Sequence, residues 1–275
     1  MQKKILALHD LAGLGRSSLV PIIASLSAMG HQCVPVPTAV YSSHLGLSGW
    51  HGADLTGAMR PALDQYEALG VRFDAVYAGF LSSAEQLEIV AAAAARLCSG
   101  LLIVDPVMGD NGRLYSSVTP ALCAQMGGLC AEADVITPNS TEAAVLLGLP
   151  PDSAPKDSEE ALEWASLLSS RYHAAAVLTG LPLAAGETAI ACCDAGGACL
   201  LRHPHVDAYY PGTGDLFSSV LTGGLVRGEP LAGAVRRAAD FVRACIEHTE
   251  AAQNGGSRLF GVQFEPLLLQ LAAQP

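Results

Sequence analysis

The chain has 275 residues, 51% hydrophobic and 15% charged, so it can bury a sizeable core and falls outside the disordered class. Lys and Arg total 15 against 26 Asp and Glu, and the formal net charge of −11 argues against nucleic acid and anionic membrane as partners. Any phosphate-rich ligand must therefore find its positive field locally, from backbone N–H groups and a metal ion.

In chain order, residues 5–9 predict a buried strand followed by a glycine-containing turn. Leu19, Ile22, Ile23 and Leu26 then recur at helical spacing. Residues 33–40 predict the next strand, with Pro35 and Pro37 marking an edge or an irregular stretch. Residues 54–69 read as a helix, 75–80 as a strand, and 83–97 as an Ala-rich helix with Ser and Glu start signals. The run LLIVDPV at 101–107 is how a central parallel strand ends at the carboxyl edge of a sheet. Residues 134–138 repeat the idea, with Asn139 and Glu142 opening a helix. Residues 157–172 are helical and 175–180 a strand. Segments 187–194 and 199–206, with Gly196-Gly197 between them, predict an edge β-hairpin. From Gly212 onward two apolar stripes predict helices. The alternation implies an α/β fold, a mostly parallel sheet with helices on both faces, and ligands at the carboxyl ends of its strands. Residues 1–275 read as one domain, since no stretch resembles a linker.

The apolar segment 19–30 is too short to span a membrane. Residues 1–4 lead into a strand without a cleavage signal, so the expected compartment is the cytoplasm. None of the eight cysteines forms a C-x-x-C pair, and most lie in apolar runs, which predicts reduced thiols.

The strongest local signal is Pro211-Gly212-Thr213-Gly214-Asp215-Leu216-Phe217. Glycines let successive N–H groups converge, and the helix start adds unpaired donors, so Gly212, Thr213 and Gly214 form a candidate anion hole. Asp215 at its mouth can accept a proton from an attacking hydroxyl; read structurally, it is an ordinary N-terminal helix charge. Asp105 and Asp110 sit on one strand-end loop and can approach Mg²⁺, although Asp-Asn-Gly is also a good hairpin turn. Thr137, Asn139 and Glu142 end a strand and open a helix, as metal–phosphate ligands or as a capping box. Thr179 ends another strand and can bond a phosphate. The loop 42–51 can line a substrate pocket or serve as an ordinary surface loop. Gly13 and Gly15 suggest a dinucleotide fingerprint, but Ser18 replaces the third glycine and no acid ends the second strand. No Walker A loop occurs.

GTGDLF at 212–217, DPVMGDNG at 105–112 and TPNSTE at 137–142, with ILALHD at 5–10 and TAVYSSH at 38–44, resemble the ribokinase-like superfamily, and within it the pyridoxal and pyridoxamine kinases. The resemblance implies a three-layer α/β/α sandwich and transfer of the ATP γ-phosphoryl group to the 5′-hydroxymethyl of a vitamin B6 vitamer. It implies Asp215 as catalytic base. It places Asp10, Ser42, His44, Leu45 and Phe80 at the substrate, and Asp105, Asp110, Thr137, Asn139, Glu142 and Thr179 near ATP. Asp105, Asn139 and Glu142 would approach Mg²⁺, a monovalent cation is an open third component, and a homodimer is expected. Many members carry Ser, Thr and Tyr where Asp10, Leu45 and Phe80 stand, and an Asp at position 10 is expected to favour an amine-bearing vitamer. The rivals are a hydroxymethylpyrimidine kinase, which commonly carries GTGC, and a non-catalytic vitamer- or nucleotide-binding protein.

Overall fold

The computed structural model describes residues 2–184, 186–252 and 257–272. The chain runs β1 (Lys4–Leu14), α1 (Leu19–Ala28), β2 (Gln32–Ser43), β3 (Gly52–Asp54), α2 (Thr56–Ala68), β4 (Phe73–Ala78), α3 (Ala84–Leu97) and β5 (Cys98–Val104). It continues with β6 (Gly109–Asp110), β7 (Arg113–Leu114), α4 (Pro120–Ala131), β8 (Val135–Ile136), α5 (Ser140–Leu147), α6 (Ser158–Tyr172) and β9 (Ala175–Ala184). Then come β10 (Glu187–Asp194), β11 (Gly197–Pro204), α7 (Thr213–Val226), α8 (Leu231–Ala252) and α9 (Leu269–Ala272).

Nine strands form one sheet in the order β11-β10-β9-β8-β5-β4-β1-β2-β3. Its centre, from β2 to β9, is parallel, and both edges are closed by antiparallel strands. The expected edge hairpin is β10–β11. The short strand β3 was not expected, because three residues carry no periodicity to read, whereas the β6–β7 ribbon is the hairpin that Asp-Asn-Gly allows. Pro35 and Pro37 lie in β2 opposite Ala7 and His9, while β3 pairs only with Ala39, Val40 and Tyr41. The prolines thus occupy the stretch whose other side has no partner strand, where a missing N–H costs no ladder bond.

Strand parity divides the core in two. Leu6, Leu8, Val76, Leu102, Val104, Ile136 and Leu178 pack with α2 to α6 on one face. Ile5, Ala7, Ala75, Tyr77, Ile103, Val135 and Val177 pack with α1, α7 and α8 on the other. Residues that continue the odd-numbered series, His9 within β1 and Asp105 and Thr137 just past β5 and β8, therefore point toward the α7 side.

The helix starts follow their capping residues. Ser83 caps α3 and Asp157 caps α6 through side-chain oxygens. Asn139 and Glu142 form a full capping box on α5. Asn139→Ala is expected to cost about 1 kcal/mol, read as a lower urea midpoint with unchanged slope. An unaltered midpoint would mean that the box contributes nothing.

Candidate active site

The site lies where β4, β5 and β8 end and α7 begins, beside the middle of β1. Gly212 caps α7 at φ 83°, and the first bond into the helix runs from the Leu216 N–H to the Gly212 carbonyl. The N–H groups of Thr213, Gly214 and Asp215 precede it, and no acceptor for them is found among the described residues. The Thr213 hydroxyl donates back to the Tyr210 carbonyl at 3.1 Å and pins the turn. A Cβ on Gly212 would fall 2.1 Å from the Arg16 carbonyl oxygen. The turn is thus pressed against the loop that leaves β1.

Asp215 is held from behind. Its Oδ2 accepts the Ser18 N–H at 2.5 Å, and its Oδ1 lies 3.2 Å from His9 Nε2. His9 Nδ1 is 2.8 Å from Asp10 Oδ1, and Asp10 Oδ2 accepts the Ser18 hydroxyl at 2.9 Å. The Asp215 side chain keeps 15% exposure, enough for a ligand to reach it, whereas that of His9 keeps 3%. On the same side, Asp105 Oδ2 accepts the Ser218 hydroxyl at 3.2 Å, and Ser218 Oγ is 3.1 Å from Thr137 Oγ1. Burial, with the Asp215 charge adding to it, pushes the Asp105 carboxyl up to about 7.

The phosphomethylpyrimidine kinase family matches residues 23–259. The chain belongs to this family. A pyridoxine/pyridoxal/pyridoxamine kinase of Bordetella bronchiseptica is 32% identical over 267 residues, covering 90% of this chain and 89% of that one. A Bacteroides thetaiotaomicron structure described as a phosphomethylpyrimidine kinase, with pyridoxal, is 36% identical, has a TM-score of 0.90 and covers 99% of this chain and 96% of that one. The pyridoxal kinase of Lactobacillus plantarum is 29% identical with a TM-score of 0.90, covering 98% of this chain and 97% of the other. The ribokinase-like fold is thereby established for this chain.

In this kinase family member a second group of expected residues gathers beside β5. Asn139 Oδ1 accepts the Glu142 N–H at 3.0 Å, and its Nδ2 donates to the Gly109 carbonyl at 2.9 Å. Both oxygens of Glu142 accept backbone N–H groups, from Met108 and from Asn139. Burial and the Asp105 charge still hold the Glu142 carboxyl well above the usual range. Asp110 accepts the Asn111 N–H at 2.8 Å in the β6–β7 turn, where Asn111 and Gly112 have φ 52° and 75°. The hairpin-turn alternative for this segment is therefore realised. Thr179 bridges to Asn139 and donates its N–H to the Pro138 carbonyl at 3.0 Å. No group of three or more His, Cys, Asp or Glu side chains arranged for a metal is found among the described residues.

The loop after β2 is sealed at its neck, where Ser42 and His51 exchange bonds of 2.7 and 2.9 Å. His44 Nδ1 accepts the Gly46 N–H at 3.1 Å, so Nε2 donates to the Leu259 carbonyl. Leu45 is half-buried, and Phe80 is buried with its carbonyl accepting the Thr38 hydroxyl. Asp10 is buried, and its two oxygens are engaged by His9 and Ser18, which places it directly behind Asp215. His9, Ser18 and Ser218 went unread in the sequence. Parity from Ile5 and Ala7 would have put His9 on the α7 face; nothing local marks the serines.

Proposed function

We propose that this chain transfers the γ-phosphoryl group of ATP to the 5′-hydroxymethyl group of a vitamin B6 vitamer. The observation that carries it is a reachable carboxylate, Asp215, fixed beside three N–H groups for which no acceptor is found among the described residues. The alcohol donates its proton to Asp215 as its oxygen attacks, and the N–H groups of residues 213–215 receive the charge on the migrating phosphoryl group. Bound ATP and Mg²⁺ would supply the phosphoryl group and charge neutralisation. Asp105 and Glu142 are the residues we assign to the metal, directly or through water. Burial first, and a neighbouring carboxylate second, raise both groups above the usual carboxylate range, and Mg²⁺ commonly takes one or two carboxylates plus phosphate oxygens. Asn139, with both ends of its amide engaged, is better suited to holding Glu142 in place.

The family's description as a phosphomethylpyrimidine kinase, with a 34% identical Haemophilus influenzae relative named hydroxymethylpyrimidine/phosphomethylpyrimidine kinase, keeps a hydroxymethylpyrimidine acceptor in view. ATP consumption with pyridoxal, pyridoxamine, pyridoxine, hydroxymethylpyrimidine and sugars tests both. A B6 vitamer is expected to give the highest kcat/KM; ATP consumption with hydroxymethylpyrimidine alone would overturn the assignment, and none with any acceptor would leave the non-catalytic alternative. No described helix is long and apolar enough to cross a membrane. We further assign residues 1–275 to one cytoplasmic kinase unit that pairs as a homodimer, to be checked by sedimentation.

A further inference from the structure

His9 sits in a slot made for it. A Cβ on Gly79 would fall 2.0 Å from His9 Cδ2 and 2.4 Å from Nε2, so only glycine at the end of β4 admits the ring. Asp10 grips one ring nitrogen at 2.8 Å, and the other faces Asp215 Oδ1 at 3.2 Å. That second contact is at ion-pair distance but off the line of a hydrogen bond, and Nε2 has no other partner among the described residues. Catalytic hydrogen bonds are often long without substrates and tighten when these bind. The four groups close a ring: Asp215 to His9, His9 to Asp10, Asp10 to Ser18, and the Ser18 N–H back to Asp215. Ser18 holds φ 61°, a left-handed conformation uncommon for serine, to complete it.

The charge balance points the same way. Facing His9 are Asp10 from β1, Asp215 from α7 and Tyr77 from β4, whose ring centroid lies 6.3 Å away. Asp105, just past β5, is one layer further, and its Oδ2 lies 3.4 Å from the Tyr77 hydroxyl. Arg16, on the neighbouring loop, turns its guanidinium to Glu265 at 2.6 Å. His9 is thus the cationic group at ion-pair distance from Asp10 and Asp215 among the described residues.

We propose that His9 is a positioning residue for phosphoryl transfer: clamped by Asp10, its imidazolium fixes the Asp215 carboxylate toward the acceptor alcohol and supplies positive charge to an acidic site. This deepens the kinase assignment and rests on it for its kinetic consequences. Burial alone would lower the His9 pKa, but the Asp215 and Asp10 carboxylates raise it to about 10, so the ring stays charged at neutral pH.

The test pairs kinetics with a readout independent of activity. In ¹⁵N-histidine NMR, both His9 ring nitrogens are expected to be protonated at pH 8; a neutral ring would overturn the proposal even if no kinase activity were ever found. With Mg-ATP and the best acceptor, His9→Gln is expected to lower kcat about ten- to hundredfold while KM stays within about threefold. The acidic limb of its rate profile should move to higher pH, because removing a cation beside a carboxylate favours the protonated form. Asp10→Asn, which keeps shape and an oxygen for His9, should give a smaller loss of the same kind and guards against misfolding of the first variant. Unchanged kcat and profile in either folded variant would refute the role. An inactive wild-type protein with a charged His9 would count against the kinase assignment and leave the clamp standing.

Discussion

An Asp215→Asn enzyme is expected to turn over about a thousandfold more slowly, within the range for loss of a general base, while KM for the alcohol changes only a few fold. Asn conserves the shape but cannot take the proton. It also mismatches its surroundings. Asp215 accepts the Ser18 N–H on one oxygen and faces charged His9 with the other, and both neighbours are donors. An amide has one acceptor oxygen, so one donor meets an NH₂ group. Steady-state kinetics on the folded variant decides the matter; turnover near the wild-type level would remove Asp215 from the chemistry.

The same substitution should alter stability in a pH-dependent way. His9 is held near 10 against an ordinary 6.5. A raised histidine stabilises the folded state fully below about pH 6.5, and the contribution fades as pH climbs through about 10. The destabilisation in Asp215→Asn should therefore be larger at pH 6 than at pH 10 in thermal melts.

How far the sequence reached depended on how far its signals extend along the chain. Long periodic runs such as residues 83–97 and 157–172 carried their helices to within a residue, because hydrophobic spacing and an N-cap agree there. That Asp215, Asp105 and Thr137 would come together could be read because each follows a strand or begins a helix, and such positions converge at the sheet's carboxyl edge. The link from Asp10 to Ser18 was not legible, because Ser18 reaches it only through the loop that carries the chain from β1 to α1. The purpose of Gly15 was equally hidden. It holds φ 114°, and a Cβ there would touch His44 at 3.0 Å, a residue on a different strand end. Contacts of this sort arise from folding one loop over another, and no local pattern encodes them.

That loop also gives the second large effect. Gly212→Ala is expected to lower turnover roughly a hundredfold, as a misplacement of about 1 Å can do, and to destabilise the fold by on the order of 3 kcal/mol. Two causes act together. The residue adopts φ 83°, which disfavours any L side chain, and its Cβ would lie 2.1 Å from the Arg16 carbonyl oxygen and 2.8 Å from Ser17 Cα. Both obstacles are backbone, so no side-chain rotation relieves them. Either the α7 turn or the Arg16–Ser18 loop must withdraw. Withdrawal of the turn carries the N–H groups of residues 213–215 away from the phosphoryl position; withdrawal of the loop removes the Ser18 N–H from Asp215. The chemistry suffers on either path, whereas Gly214→Ala, where a Cβ meets nothing within 4 Å, should fold normally. Thermal melts and kcat for the pair separate strain from general intolerance at the turn. Wild-type turnover in Gly212→Ala would mean that the turn does not hold the phosphate, since the substitution cannot leave its position unchanged.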